Sequence, residues 1–199
     1  MWGTEMKFRI NEDDALIVVD VQRDFCPGGA LPVPGCNQII RILNRYIDMF
    51  REVKAKVFVT RDWHPPNHVS FKAYGGLWPP HCVQRSRGAE FHPELRLPPS
   101  ARLISKATVA SIESYSGFDG TELEKDLRKE RVKRVFIGGL ATDYCVKNTV
   151  LDALKLGFEA VLLVDALAGI DQKRGDSEKA IQEMIKHGAK TANLSEVSG

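Results

Sequence analysis

The stretch Arg134 to Gly157, RVFIGGLATDYCVKNTVLDALKLG, decides how this chain is read. An apolar run rich in β-formers breaks at Gly138-Gly139, and helical spacing then begins at Val146, Val150, Leu151 and Leu154. A strand turning sharply into a helix is the repeating step of an α/β fold. Here the turn carries a cysteine, Cys145, about two residues past an expected N-cap at Thr142 or Asp143. A thiol with no task is commonly buried as a small hydrophobe. At a helix start it also faces a dipole and free N–H groups that favour its thiolate. Position alone leaves both readings of Cys145 open.

Outward from that stretch, similar runs recur at ALIVVDV (Ala15 to Val21), KVFVT (Lys56 to Thr60), ARLIS (Ala101 to Ser105), EAVLLVD (Glu159 to Asp165) and AKTANL (Ala189 to Leu194), with VKRVFIGG (Val132 to Gly139) among them. Amphipathic stretches separate most of them: Ile39, Ile40, Leu43 and Ile47; Leu123 and Leu127; Ile181 and Ile185. Alternating strands and helices imply right-handed crossovers and a three-layer α/β/α fold with a mostly parallel sheet of about six strands. Two regions depart from this rhythm. They are the Pro/Gly-rich CPGGALPVPGC (Cys26 to Cys36) and a long connection from Arg61 to about Ser100, of a length that is usually functional.

With 199 residues and 43% hydrophobic content, the chain is read as one domain, residues 1–13 being an N-terminal extension. Its 28 Lys+Arg and 26 Asp+Glu leave a net charge of +2, and no block of like charge appears, which argues against nucleic acid or membrane as a partner. A homo-oligomer is compatible with this composition. A chain of this size without a secretory leader is expected in the cytoplasm, with Cys26, Cys36, Cys82 and Cys145 all reduced.

In open α/β sheets, ligands bind beyond the carboxyl ends of the strands. The runs end on Asp20, on Asp62 followed by His64, on Lys106, and on the turn to Cys145. Asp20 follows four apolar residues, where an unpartnered carboxylate is costly to bury. It can take a thiol proton if desolvation raises its proton affinity, with Lys106 holding the thiolate as an ion pair. Each also has a plain alternative, Asp20 as a loop-bonding group and Lys106 as a solvated strand-end lysine. Asp62 and His64, spaced i, i+2 on an extended chain, point to one side. With a further histidine of the same loop, from His68 or His81, they suit a divalent transition metal with open positions. His92 and His187 are read as structural.

Taken together, ALIVVDVQRDFCPGGAL, TRDWHPPNH, WPPHCVQ, GAEFHP and GLATDYCV closely resemble nicotinamidases, the amidases of the isochorismatase-like cysteine hydrolase superfamily, from about Asp14 to Ala189. The resemblance implies a catalytic triad of Asp20, Lys106 and Cys145. It implies metal ligands at Asp62, His64 and His81, with His68 where some members add a histidine, and zinc as the ion, iron or manganese being alternatives. It implies an aromatic substrate pocket at Phe25, Trp78 and Tyr115. Its oxyanion hole is built from the N–H groups of Ala141 and Cys145, beside a cis peptide between Leu140 and Ala141. The expected activity is hydrolysis of nicotinamide, and of close aromatic amides, to the acid and ammonia in NAD salvage. Arg23 stands where many relatives carry Asn. The competing readings are a superfamily hydrolase of isochorismate, carbamoyl or ureido substrates, and a non-enzymatic metal- or redox-sensing protein.

Overall fold

The computed structural model describes residues 8–199. The strands are β1 (Phe8–Arg9), β2 (Asp14–Val19), β3 (Lys56–Asp62), β4 (Arg102–Lys106), β5 (Arg134–Leu140), β6 (Glu159–Ala168), β7 (Lys190–Ala192) and β8 (Val197–Ser198). The helices are α1 (Cys36–Glu52), α2 (Leu123–Lys129), α3 (Lys147–Lys155) and α4 (Asp176–Lys186). Six strands form one parallel sheet in the order β4-β3-β2-β5-β6-β7. The expected three-layer α/β/α fold is therefore present. The strand pair β1–β8, parallel through Phe8 and Val197, was not expected. It places part of the supposed N-terminal extension against the chain's last residues, and residues 1–7 lie outside the described part.

Each strand's alternation sorts its side chains onto two cores. From β2, Leu16 and Val18 pack with Ile39, Leu43 and Ile47 of α1. Ala15, Ile17 and Val19 face the other way, against Leu123 and Leu127 of α2, Val150 of α3 and Met184 of α4. That is why β2 reads as a continuous apolar run: every one of its residues is buried.

The chain leaves β2 toward β3 and β4 on one side, then returns to lay β5 on the other side of β2. A cleft opens at such a reversal, beyond the strand ends. Asp20 follows β2 and Cys145 follows β5, so the topology places them on its two sides. Gly139 makes the close approach feasible. Its φ is 132°, and a Cβ there would come within 2.2 Å of the Val19 carbonyl oxygen.

The Pro/Gly-rich loop corrects one expectation, since Cys26 and Cys36 form a disulfide. The loop folds back on itself, Gly29 N–H bonding to Cys26 O, Val33 N–H to Phe25 O and Cys36 N–H to Val33 O. This brings the two Cα atoms to 5.3 Å, within bridging reach. Cys82 and Cys145 remain free thiols, as expected.

Candidate active site

Cys145 lies in one π-helical turn, Thr142–Val146, that leads into α3. Such turns recur at functional sites. The expected cap at Thr142 or Asp143 is corrected, because Ala141 holds the N-cap position and no side chain caps the turn. The Ala141 carbonyl instead accepts from the N–H groups of Tyr144 and Val146. Asp143 turns its carboxylate to the next loop, accepting from Ile170 N–H at 3.0 Å and Asp171 N–H at 2.8 Å. Thr149 closes the turn from behind, donating to the Cys145 carbonyl at 2.7 Å. The Leu140–Ala141 peptide is cis.

Lys106 is the hub of the site. Its ammonium lies 3.0 Å from Asp20 Oδ2 and 3.4 Å from Cys145 Sγ, and it donates to Asp62 Oδ1. All four residues are buried. Burial favours the neutral amine, yet the Asp20 and Asp62 carboxylates, and then Cys145, hold Lys106 well above its ordinary pKa. It stays an ammonium. Burial raises the Asp20 pKa, with Asp62 adding to the rise against the opposing pull of Lys106 and Thr60. Burial likewise drives the Cys145 thiol well above its ordinary range, and Lys106 offsets only part of this. Burial thus works against the thiolate that a helix start favours, and it sets the thiol beside a carboxylate with raised proton affinity, an arrangement in which the carboxylate can take the thiol proton.

Asp62 ends β3, and burial opposes its ionisation, but Lys106 with His64 and His81 holds its pKa down. Its oxygens face His64 Nε2 at 4.0 Å and His81 Nε2 at 3.9 Å. The other ring nitrogens settle the tautomers. His64 Nδ1 meets the His81 carbonyl at 3.0 Å and His81 Nδ1 meets the Pro79 carbonyl at 2.8 Å. A carbonyl can only accept, so each Nδ1 carries a proton there and each Nε2 is left facing Asp62. Burial lowers the His64 pKa to about 4, which keeps that ring neutral as a ligand must be. The donor atoms of Asp62, His64 and His81 lie within 4.8 Å of one another. Two imidazoles and one carboxylate at this spacing fit a divalent transition metal with open positions.

Asp20, Asp62 and Cys145 make an equally compact trio, but the Lys106 ammonium already supplies the cation there. His68 adds no free nitrogen. Its Nδ1 is 2.8 Å from Ser70 Oγ and its Nε2 is 3.0 Å from the Ile112 carbonyl.

Phe25, Trp78 and Tyr115 line a narrow cleft over Cys145, together with Tyr144, Leu31, Asp62, His81, Ala141 and Ile170. Trp78 Nε1 donates to Tyr115 Oη at 3.0 Å, and Tyr144 meets Trp78 edge-on at 5.0 Å. The cleft thus joins the thiol to Asp62 and the His81 imidazole past a set of aromatic side chains.

Sequence reasoning passed over three positions. Tyr144 adjoins the nucleophile and could have been found from that adjacency. Gln22 lies within the quoted ALIVVDVQRDFCPGGAL. Its amide pairs with both backbone groups of Asp62, donating to the carbonyl at 2.8 Å and accepting the N–H at 2.8 Å, and also donates to the Ala89 carbonyl at 2.9 Å. Thr60 gave no signal beyond its place in an apolar strand.

A buried thiol, carboxylate and ammonium meet at the carboxyl edge of a parallel sheet, the set of groups that a cysteine-dependent hydrolase needs. The chain belongs to the isochorismatase family, whose domain it matches over residues 14–196. It is 38% identical to a nicotinamidase of Escherichia coli, the match covering 92% of this chain and 95% of that protein. A pyrazinamidase of Pyrococcus horikoshii, solved in complex with zinc, superposes with a TM-score of 0.88 at 55% identity, covering 92% of this chain and 99% of that one. PnC1 of L. infantum, solved in complex with nicotinate, gives a TM-score of 0.87 at 35% identity, covering 96% and 98%.

Proposed function

We propose that this chain, read as one hydrolase domain, is a nicotinamidase that converts nicotinamide to nicotinic acid and ammonia in cytoplasmic NAD salvage. One observation carries the reading. Lys106 joins the Asp20–Cys145 pair to Asp62, so the thiol chemistry and the candidate ring-binding site share one cleft with aromatic walls. The nicotinamidase and pyrazinamidase names of the relatives support the same substrate class.

The steps follow from the groups present. Cys145 Sγ attacks the carboxamide carbon as its proton passes to Asp20. Lys106, remaining charged, stabilises the sulfur's negative charge, while the N–H groups of Ala141 and Cys145 receive the oxyanion. Asp20 gives the proton to the leaving ammonia, and a thioester remains. Water then attacks the thioester, losing its proton to Asp20, and Asp20 reprotonates the departing thiolate. Nicotinic acid leaves and the neutral thiol is restored.

Asp62, His64 and His81 would hold a divalent ion, with zinc the first candidate. Such an ion supplies Lewis acidity towards the pyridine nitrogen. Trp78, Tyr115, Tyr144 and Phe25 sandwich the flat ring and keep water from it. A carbamoyl amine or ureido acid offers these aromatics nothing to stack on, so the aromatic cleft favours a pyridine carboxamide. Ammonia release from nicotinamide, before and after alkylation of the thiols, tests the proposal. Absence of release from the metal-loaded protein overturns it.

A further inference from the structure

We propose that Thr60 is the positioning residue of the catalytic base: its hydroxyl occupies Asp20 Oδ1 and so assigns the thiol proton to Oδ2. The inference rests on the mechanism above and concerns a residue that takes no part in it. Thr60 is fully buried in β3, two residues before Asp62. It holds Asp20 twice. Its backbone carbonyl accepts the Asp20 N–H at 3.2 Å, and its hydroxyl donates to Asp20 Oδ1 at 2.7 Å.

The grip matters because of how Asp20 is placed. Asp20 has φ of 50°, in the left-handed region that side-chain-bearing residues seldom adopt, so its surroundings must fix it there. With Oδ1 engaged by Thr60, Oδ2 is left without a hydrogen bond and faces the Lys106 ammonium at 3.0 Å as an ion pair. Oδ2 is therefore the oxygen with capacity to receive a proton. In the first step the S–H bond of Cys145 breaks and an O–H bond forms at Oδ2, while the sulfur keeps the electron pair for attack. Oδ1 accepts the Thr60 hydrogen bond before and after the transfer, so the carboxyl group need not rotate.

Thr60 is itself held in one rotamer. Its methyl Cγ2 packs under Gly117, where an added Cβ would approach it at 3.0 Å. A β-branched side chain so confined keeps its hydroxyl towards Asp20. Valine would fill the same space, so packing alone gives no reason for the hydroxyl.

Thr60→Val removes the hydroxyl and preserves the shape. Loss of a hydrogen bond to a charged group should lower kcat by roughly 10- to 100-fold, with KM within about twofold. The hydroxyl's hydrogen bond lowers the Asp20 pKa, so its loss leaves the carboxylate no less basic. The alkylation rate of Cys145 by iodoacetamide, without substrate, should nevertheless fall by a comparable factor because the carboxylate loses its orientation, and Thr60→Ser should restore both to within about threefold. If Thr60→Val keeps both rates within about twofold, or if Thr60→Ser is as impaired as Thr60→Val, the hydroxyl does not position the base and the proposal fails. Should Thr60→Val not fold, Thr60→Ser against Thr60→Ala decides in the same way, a clear advantage for serine supporting the role and equal rates overturning it. The alkylation arm needs no nicotinamide. A wild-type protein inactive on nicotinamide would therefore overturn the substrate reading, while the alkylation rates still judge Thr60.

Discussion

Lys106 Nζ lies 3.4 Å from Cys145 Sγ at the centre of a group that includes two carboxylates, all of it buried. Its charge serves both stability and chemistry. Lys106→Met would leave Asp20 and Asp62 facing each other without a cation. Removing one partner from a buried ionic group costs about 3–5 kcal/mol. The variant should show a strongly lowered melting temperature and activity near background. Wild-type thermal stability in Lys106→Met would mean that the ammonium is not the counter-ion of this cluster.

Cys145→Ala separates chemistry from fold. The turn around it is held by Thr149, Asp143 and the Ala141 carbonyl, none of which needs the sulfur. Turnover should drop to background while stability changes by about 1 kcal/mol. Retention of even a tenth of wild-type activity would be incompatible with a thioester.

Asp20→Asn should lose turnover and move thiol reactivity along the pH axis. Burial raises the Cys145 thiol well above its ordinary range, and on the proposed mechanism Asp20 takes its proton. With an amide in that place, the part of the rise due to the Asp20 charge and hydrogen bond is lost but burial still holds the thiol up, so thiolate forms only as the solution pH climbs towards that thiol's pKa. Alkylation should therefore be slow at neutral pH and recover in alkaline buffer, whereas the wild type reacts at neutral pH. An unchanged alkylation profile would assign the base elsewhere.

Gln22→Ala should weaken the metal site from outside it. The amide fixes both backbone groups of Asp62, so its loss frees a ligand whose own carboxylate is untouched. Loss of a group supporting a ligand typically costs 10- to 100-fold in metal affinity. Competition with a chelator should read this directly, and wild-type affinity in the variant would reduce Gln22 to a loop anchor.

Much of this site was legible because the chemistry sits at strand ends. The runs ending at Asp20, Asp62 and Lys106 are apolar, so a polar terminus stands out, and parallel order places those termini on one edge. Asp62 and His64 share a side through the two-residue period of an extended chain. What depended on loop geometry was not legible. Cys26 and Cys36 could be paired only once their loop was seen to fold back, and the hydrogen bonds that engage both His68 nitrogens, at Ser70 and Ile112, became visible only in the fold. The π turn replaced an ordinary cap because Asp143 had a better use across the cleft, at the N–H groups of Ile170 and Asp171. The raised thiol pKa followed from burial, which a helix-start argument does not weigh.

The last prediction distinguishes a metal that binds the substrate ring from one that performs hydrolysis. Both imidazoles present Nε2 towards Asp62, at 4.0 and 3.9 Å, while Cys145 is tied electrostatically to Asp20 and Lys106. The two functions meet at Asp62, while the imidazoles belong to the candidate metal site alone. Chelation, Asp62→Ala or His81→Ala should therefore raise KM for nicotinamide and weaken nicotinic acid binding more than they lower kcat. Asp62→Ala also removes a partner of Lys106, so His81→Ala is the cleaner variant. Benzamide lacks the ring nitrogen and gains nothing from the ion. Its disadvantage against nicotinamide should shrink markedly in chelated enzyme, while Cys145 stays open to alkylation. If kcat/KM for the two amides falls in parallel on chelation, the ion does not read the nitrogen, and activation of the hydrolytic water becomes its assigned role.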